Sequence, residues 1–487
     1  MRRLALPLVA VVAIAVRLVP LLAGPGLLNW DRYDDGVYYT AAASLLDGRL
    51  PYRDFVLLHP PLIMLALTPF ALLGRLTSDP AGLVTARIVW MLLGTGIAVL
   101  AARFARRWGV VPALLAGLWV ACSSASAYSS QTTYIEPLAD LALLGAIVLL
   151  TSDRERPRHE LIAGLLLGIA LTGKIWYLVP VGTLFLVMLL HRRFRAVLRA
   201  GVVAAIVAAV ILLPFFIAAP REMWHMVVYD QLSRPTSADS TPMDRLGIAV
   251  GGRYLGLSPT PSAVIAAIAS AIALAAAVAA IRWERQARIV AAVAIVNTVM
   301  LVVTPSGFHH YGSLTSAPIG ITLAVGWAAL GPRLVRRRPI RLAAATAALA
   351  AIAVGGVLVT QRPPGHALPT AALRAVLPPG CITTDTPGIL IVADRLSANL
   401  RQGCPVAVDV RGASFGTRER RHDNLSYIDW LGAYLGSGSA AIMRWPDTDG
   451  FYGADLRDLG TPIYKHHKLM VIVPTREEQN RDRVAIS

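Results

Sequence analysis

Residues 30–62 read "WDRYDDGVYYTAAASLLDGRLPYRDFVLLHPPL" and directly follow an apolar run at the start of the chain. The stretch carries five carboxylates, three arginines and one histidine, together with turn-forming glycine and proline residues. Ions are costly to bury at a membrane, so charge gathered beside an apolar run indicates a functional role. The stretch therefore predicts a functional loop at a membrane surface.

The rest of the chain has the composition of a membrane protein. It is 55% hydrophobic and only 15% charged, whereas soluble domains carry about 25% charged residues. The opening run lacks a small-residue cleavage site, so we interpret it as an uncleaved first span. Runs long enough to cross a bilayer occur at about eleven places, near 4–23, 82–102, 110–127, 136–151, 161–173, 175–190, 201–219, 261–281, 287–304, 315–331 and 342–360.

Basic clusters such as "RFARRWG" and "HRRFRAVLR" alternate with loops that lack them. By the positive-inside rule the clusters are cytoplasmic, which predicts a cytoplasmic amino terminus and an outer carboxyl terminus in the cytoplasmic (inner) membrane. The net charge of +17 then follows from topology. Because the arginines flank spans and form no single face, we predict no nucleic-acid partner.

The sequence predicts two domains, a transmembrane catalytic domain at 1–360 and an extracytoplasmic α/β domain at 361–487. In the second, "CITTD", "PVAVDV" and "LMVIVP" are typical of strands, and "PGILIVADRLSANLRQG" and "LSYIDWLGAYLG" of helices. Cys381 and Cys404 lie there in an oxidising compartment and are candidates for a disulfide. Two unbonded thiols are the alternative.

The segment "DDGVYYTAAASLLDG" predicts a short amphipathic helix in the membrane interface, and "LLHPPLIMLALTPFALLGRL" a second interfacial helix. Asp34 and Asp35 begin the first helix. One interpretation is a helix cap with a favourable dipole partner. The other is a catalytic base, since two adjacent carboxylates exceed what a cap needs.

Four motifs in this order resemble the GT-C glycosyltransferases, and within them the branch of protein O-mannosyltransferases and lipid A aminoarabinose transferases. The first outer loop has "G-x-x-Y-x-x-A-x-x-L-L-x-G", then "P-Y-x-D-F" and "H-P-P-L". They are followed by "YIEPLAD", by the lysine-bearing "LLLGIALTGKIWYLVP" and by "GFHHYGSLTSAP". The resemblance covers roughly the first 330 residues.

The resemblance implies transfer of a sugar from a polyprenyl-phosphate donor to an acceptor hydroxyl outside the membrane, with inversion. The bias toward Ala, Arg, Val and Gly is compatible with mannose or arabinose as the sugar, and no linear motif encodes the choice. It implies that Asp34 is the general base and that Glu136 orients the acceptor or a metal. Asp35 replaces the commoner glutamate, so its role is less defined. These three carboxylates are candidate ligands for a divalent metal, although clustered carboxylates alone do not establish one. No other cofactor is expected.

Charge development on the leaving phosphate requires fixed cations. Lys174 interrupts an apolar run and is the first candidate, with snorkelling to the headgroups as the alternative. His309, His310, Arg234 and Arg245 are further candidates for the donor phosphate, against interfacial anchoring or simple solvation.

His59, Tyr38 and Asp54 are predicted to support the acceptor or the loop. The acceptor itself, a glycolipid, a polysaccharide or a protein, is not encoded in a linear motif. The alternative function is a polytopic transporter or flippase of lipid-linked sugars, which predicts ionisable residues near the middle of several spans.

Overall fold

A computed structural model describes residues 3–22, 24–152, 156–233, 241–251, 259–361, 365–417, 419, 421, 423–444 and 459–475. By internal contacts the chain divides into two compact units. Unit 1 comprises residues 1–23, 87–212 and 235–363, and unit 2 comprises residues 24–86, 213–234 and 364–487. The division into 1–360 and 361–487 stays a prediction.

Unit 1 is a bundle of apolar helices. Its members, including two helices that continue into unit 2, are α1 (Ala5–Leu18), α4 (Asp79–Ala105), α5 (Val110–Cys122), α6 (Ser124–Ser130), α7 (Glu136–Leu150), α8 (Pro157–Leu171), α9 (Leu178–Leu190), α10 (Phe194–Ala218), α13 (Pro242–Ala249), α14 (Pro259–Trp283), α15 (Arg288–Val303), α16 (Ser313–Leu334) and α17 (Arg338–Thr360). Helices overlap all the ranges predicted as spans.

Seven helical segments of the described residues are long and apolar enough to cross a membrane. An eighth results if α5 and α6, bent by 57° at their junction, count as one span. Helices α7 and α8 have 15 residues each and fall below this length. The predicted number of about eleven is higher because it includes such short helices.

Small residues bring the helices of unit 1 close together. A side chain added at Gly164 would lie 2.5 Å from the Ala200 carbonyl oxygen, and one at Gly168 would lie 2.6 Å from Cβ of Val207. These glycines are four residues apart on α8, so they share one face. Close backbone approach at small residues is a usual way for membrane helices to pack, since lipid gives them no hydrophobic drive to associate.

The helices of unit 2 include the predicted helices of the first outer loop. They are α2 (Tyr33–Leu46), α3 (Leu62–Leu76), α11 (Pro220–Trp224), α12 (Asp230–Leu232), α18 (Thr370–Val376), α19 (Pro387–Val392), α20 (Leu396–Arg401) and α21 (Leu425–Gly436). Helix α2 packs against α3 and α19, and all residues from Asp35 to Ser44 are buried. The amphipathic helix predicted for this segment would bury only one face, so the observed helix is more buried than predicted.

Unit 2 also contains a four-stranded sheet of order β1-β2-β4-β3, built from β1 (Ile382–Thr384), β2 (Ala440–Arg444), β3 (Gly460–His466) and β4 (Leu469–Pro474). Strand β1 is parallel to β2, and the other pairs are antiparallel. A disulfide joins Cys381 and Cys404 beside β1. The predicted strand "PVAVDV" at 405–410 is wrong, because those residues form an irregular segment.

Candidate functional site

A buried ion pair lies at the centre of unit 1. Lys174 Nζ donates to Glu136 Oε1 at 3.0 Å, and both side chains are 4% exposed. Glu136 begins α7, where the helix dipole favours a carboxylate. Lys174 follows the end of α8 and precedes the short 3-10 turn Ile175–Tyr177. The break in the helix thus places the ammonium in the bundle, and its burial does not fit the snorkelling alternative.

Aromatic rings surround this pair. Lys174 Nζ lies 4.2 Å from the ring centre of Tyr311 and 5.2 Å from that of Trp176, within the range of cation–π attraction. His310 Nε2 lies 3.8 Å from Glu136 Oε1, and its ring stacks on Tyr134 with 4.5 Å between centres. The rings exclude water, so charges here interact more strongly than at a surface.

The second carboxylate oxygen of Glu136 differs from the first in its hydrogen bonding. Oε2 is buried and has no hydrogen-bond partner among the described residues. An unpaired buried acceptor costs about 1–3 kcal/mol, so an arrangement of this kind is expected to be completed by a ligand. A sugar or acceptor hydroxyl is a donor of the required type.

Asp140 completes the buried cluster and was missed as a site residue in the sequence. Its Oδ1 accepts from the Tyr177 hydroxyl and its Oδ2 from the Ser313 hydroxyl, each at 2.7 Å. The signal was present in "YIEPLAD", because residues 136 and 140 are one helical turn apart and share a face of α7. A second carboxylate on that face of an apolar helix is itself unusual.

The two adjacent histidines differ in their surroundings. His310 is 7% exposed, whereas His309 is half-buried, with Nε2 3.0 Å from the Ser124 hydroxyl and its ring 4.9 Å from that of Tyr128. Interfacial anchoring therefore does not describe His310. The structure places His310 at the ion pair and His309 at the start of α6.

In unit 2, the acidic pair lies in the first turn of α2. The residue that caps this helix is Arg32, and its side chain makes no capping hydrogen bond. Asp34 and Asp35 are therefore the second and third helical residues, so neither occupies the cap position, whereas the favourable dipole in the first interpretation agrees with their place in the first turn. Asp35 is fully buried and Asp34 is half-buried. Asp34 is the more accessible of the two.

Tyr38 on α2 and Asp54 and His59 in the loop after it are further candidates in unit 2. The Tyr38 and His59 rings meet edge-on with 5.9 Å between centres, and the His59 carbonyl accepts from the Tyr52 hydroxyl at 2.8 Å. Asp54 closes the loop, since its Oδ2 accepts from the Leu50 amide at 2.7 Å. It also accepts two hydrogen bonds from the neighbouring Arg53 guanidinium.

Of the two arginines predicted to bind the donor phosphate, the structure describes only Arg245. Arg245 is 7% exposed, and its guanidinium donates to the carbonyls of Val302 and Thr304 at the end of α15. This contact stabilises the helix terminus and gives Arg245 a structural role. Arg234 lies outside the described residues. Within the described ranges, no group of three or more His, Cys, Asp or Glu side chains is arranged to hold a metal ion.

The same fold occurs in solved structures of membrane enzymes. ArnT from Cupriavidus metallidurans bound to undecaprenyl phosphate is similar, with a TM-score of 0.65 and 16% identity over 97% of this chain and 98% of that chain. The apo state of that ArnT gives a TM-score of 0.61 at 14% identity, with the same coverage. AglB from Archaeoglobus fulgidus, in complex with an inhibitory peptide and a dolichol-phosphate, gives 0.56 at 12% identity over 91% of this chain and 69% of that chain.

These likenesses define the class: the protein is a multi-pass membrane protein of the GT-C fold. The sequence model of glycosyltransferase family 87 matches residues 57–305, just over half of the chain, and the protein belongs to this family. It is therefore a membrane glycosyltransferase, and the transporter alternative is set aside. A comparison with curated protein sequences gives no significant match. Asp34 and the C-terminal segment lie outside the matched range.

Proposed function

We propose that the protein transfers a sugar from a polyprenyl-phosphate donor to an acceptor hydroxyl on the outer face of the cytoplasmic membrane, with inversion. The observation that carries the proposal is the buried pair Lys174–Glu136 with its unpartnered oxygen. The lipid class is supported by the ligands of similar structures, since that ArnT structure contains undecaprenyl phosphate and that AglB structure a dolichol-phosphate.

In unit 1, Lys174 is the proposed cation for the donor phosphate. Rupture of the bond between the anomeric carbon and the phosphate oxygen places negative charge on the phosphate, which a fixed ammonium in a water-poor site stabilises. The Lys174 ammonium donates to Glu136, which fixes the position of the charge. His310, stacked in place by Tyr134, is a second donor for the phosphate or the sugar.

Glu136 has a double role in this proposal. Oε1 holds Lys174, and Oε2 accepts a hydrogen bond from a hydroxyl of the sugar or the acceptor. A site built to hydrogen-bond a hydroxyl rejects a substrate without it, because the buried oxygen then stays unpaired. Glu136 is therefore proposed to contribute to specificity as well as to orientation.

In unit 2, Asp34 is the proposed general base. It removes the proton of the acceptor hydroxyl as that oxygen attacks the anomeric carbon from the face opposite the phosphate. The bond between the acceptor oxygen and the anomeric carbon forms while the bond between the anomeric carbon and the phosphate oxygen breaks. Polyprenyl phosphate is the leaving group. A single displacement of this kind inverts the anomeric centre. Asp35 is buried in the same turn of α2 and is proposed to set the orientation of Asp34.

The test is transfer by the purified, reconstituted protein from radiolabelled polyprenyl-phosphate sugars, mannose and arabinose first, to a membrane extract. Asp34→Asn keeps the side-chain shape and removes the base, so turnover should fall by about 10²–10⁴-fold. Asp47→Asn is the matched control, because Asp47 is an exposed carboxylate at the other end of α2. Near-normal turnover of Asp34→Asn would show that Asp34 is not the base. Absence of transfer from every such donor would refute the donor class.

A further inference from the structure

The first turn of α2 is held from the C-terminal segment of the chain. The Tyr33 hydroxyl donates to Asp409 Oδ1 at 2.9 Å and accepts from the Arg411 amide at 2.6 Å. The Arg411 guanidinium also lies over the Tyr33 ring, 4.3 Å from its centre. All three residues belong to unit 2, and Tyr33 immediately precedes Asp34.

Asp409 is itself fixed in position. Its Oδ1 accepts from the Gly412 amide at 2.8 Å as well as from Tyr33, so the carboxylate joins its own turn to the helix. The pKa of Tyr33 is raised well above its usual value, first by burial and then by the Asp409 charge. The hydroxyl therefore stays protonated and keeps its role as a donor.

A second contact involves two glycines. A side chain added at Gly36 would lie 2.4 Å from the backbone nitrogen of Gly388, and one at Gly388 would lie 2.7 Å from the Trp30 carbonyl oxygen. No side chain fits at either place without movement of the backbone. The first turn of α2 therefore lies directly against the start of α19.

A third contact lies just before the helix. Asp31 Oδ2 is 2.8 Å from His366 Nδ1. Contacts from the C-terminal segment thus involve residues 31, 33 and 36, on both sides of Asp34. A helix end with no side-chain cap is prone to fray, and α2 begins without one. The order that a local cap usually supplies comes here from residues more than 330 positions away in the sequence.

We infer that Tyr33 and Asp409 are positioning residues for Asp34, and that the C-terminal segment orients the proposed base. The inference rests on the proposed function of Asp34. It assigns the segment a part in catalysis without contact to the substrate. A displacement of about 1 Å in a reacting group can cost about 10²-fold in rate, so a loosened first turn should lower kcat with little change in donor binding.

The experiment compares Tyr33→Phe with Tyr39→Phe in the full-length reconstituted protein. Tyr39 is the matched control because it lies on the same helix and its hydroxyl is within 3.3 Å of two backbone carbonyls, those of Phe70 and Asp79. We expect Tyr33→Phe to lower kcat at least tenfold with the KM for the donor within about twofold. Tyr39→Phe should keep kcat within about twofold at a similar loss of thermal stability.

Two further variants separate positioning from folding. Asp409→Asn keeps the carbonyl oxygen that accepts from Tyr33 and should retain most of kcat, whereas Asp409→Ala should lose as much as Tyr33→Phe. In the Asp34→Asn background, adding Tyr33→Phe should lower the residual rate no further, because residues that act through one group are not additive. An equal loss of kcat in both tyrosine variants would overturn the inference.

The outcomes also distinguish the inference from the function on which it rests. Normal turnover of Asp34→Asn would refute the assignment of Asp34 as general base. The positioning role of Tyr33 and Asp409 would then be refuted as well. Loss of turnover in Asp34→Asn together with unchanged kcat in Tyr33→Phe refutes only the positioning role. A further drop when Tyr33→Phe is added to Asp34→Asn would show that Tyr33 acts by another route.

Discussion

Removal of one partner of the Lys174–Glu136 pair should be far more costly than removal of both. Lys174→Met deletes the charge and roughly keeps the length of the side chain, which leaves Glu136 as a buried carboxylate without its ammonium. Breaking a buried pair in this way costs about 3–5 kcal/mol. Exposed pairs contribute only about 0–1 kcal/mol. Both side chains of this pair are 4% exposed, so the larger cost of a buried pair applies.

The double variant Glu136→Gln with Lys174→Met removes both charges and should recover most of the stability lost in the single variant. Transfer should be absent in both, because neither has the cation proposed for the donor phosphate. Stability and activity would then separate, which a purely structural ion pair does not predict. A functional pair is retained despite its energetic cost.

The assay is reversible unfolding in detergent micelles, with sugar transfer measured on the same preparations. Arg53→Met is the control, since Arg53 pairs with Asp54 at 2.9 Å and the two side chains are 53% and 30% exposed, and it should cost less than about 1 kcal/mol. Wild-type stability of Lys174→Met would refute the reasoning about burial. Normal transfer by the double variant would refute the phosphate role of Lys174.

Three other outcomes follow from the structure. Cys381→Ser opens the disulfide to Cys404, which closes a loop of 23 residues, and should lower the stability of the C-terminal segment by about 3 kcal/mol, with the same shift on reduction of the wild type. Asp140→Asn replaces one of two acceptor oxygens that bind hydroxyls, and should cost about 1–2 kcal/mol in thermal unfolding. The Arg53 guanidinium and a backbone amide hold the pKa of Asp54 below its usual range, so this loop should be most protected above about pH 4 and lose protection from amide exchange as the pH falls further.

Local patterns account for much of the fold. The glycine stop and apolar spacing predicted α2, which ends at Leu46, two residues before Gly48. The segment "LSYIDWLGAYLG" matches α21 at both ends. The predicted spans 161–173 and 175–190 are separated at Lys174, and the chain breaks there between α8 and α9. These features are determined by residues close to one another in the chain, so they can be predicted from one sequence.

Other features depend on distant partners, and the sequence could not predict them. Strands β2 and β3 were missed and "PVAVDV" was wrongly predicted as a strand, because strand formation depends on the neighbouring strands available for pairing as well as on composition. "PGILIVADRLSANLRQG" forms two helices, since Asp394 adopts a positive φ of 58° between them. The Tyr33–Asp409 bond spans 376 residues, and nothing in either local sequence indicates it.

Two buried charges in the described part of unit 1 differ in how their polar atoms are paired, and the difference supports the proposed role of Glu136. Arg17 is fully buried in α1, but its guanidinium donates to the Ser126 and Ser130 hydroxyls and to the Ala121 carbonyl, near the bend between α5 and α6. Those hydrogen bonds offset the free-energy cost of removing the Arg17 guanidinium from water. A structural role therefore suffices to explain why an arginine is buried there. Glu136, also buried, has one oxygen paired with Lys174 and a second that has no hydrogen-bond partner among the residues that the structure describes. Packing alone gives no reason to keep such an oxygen, whereas recognition of a hydroxyl does, which is why the search for substrate contacts should begin at Glu136.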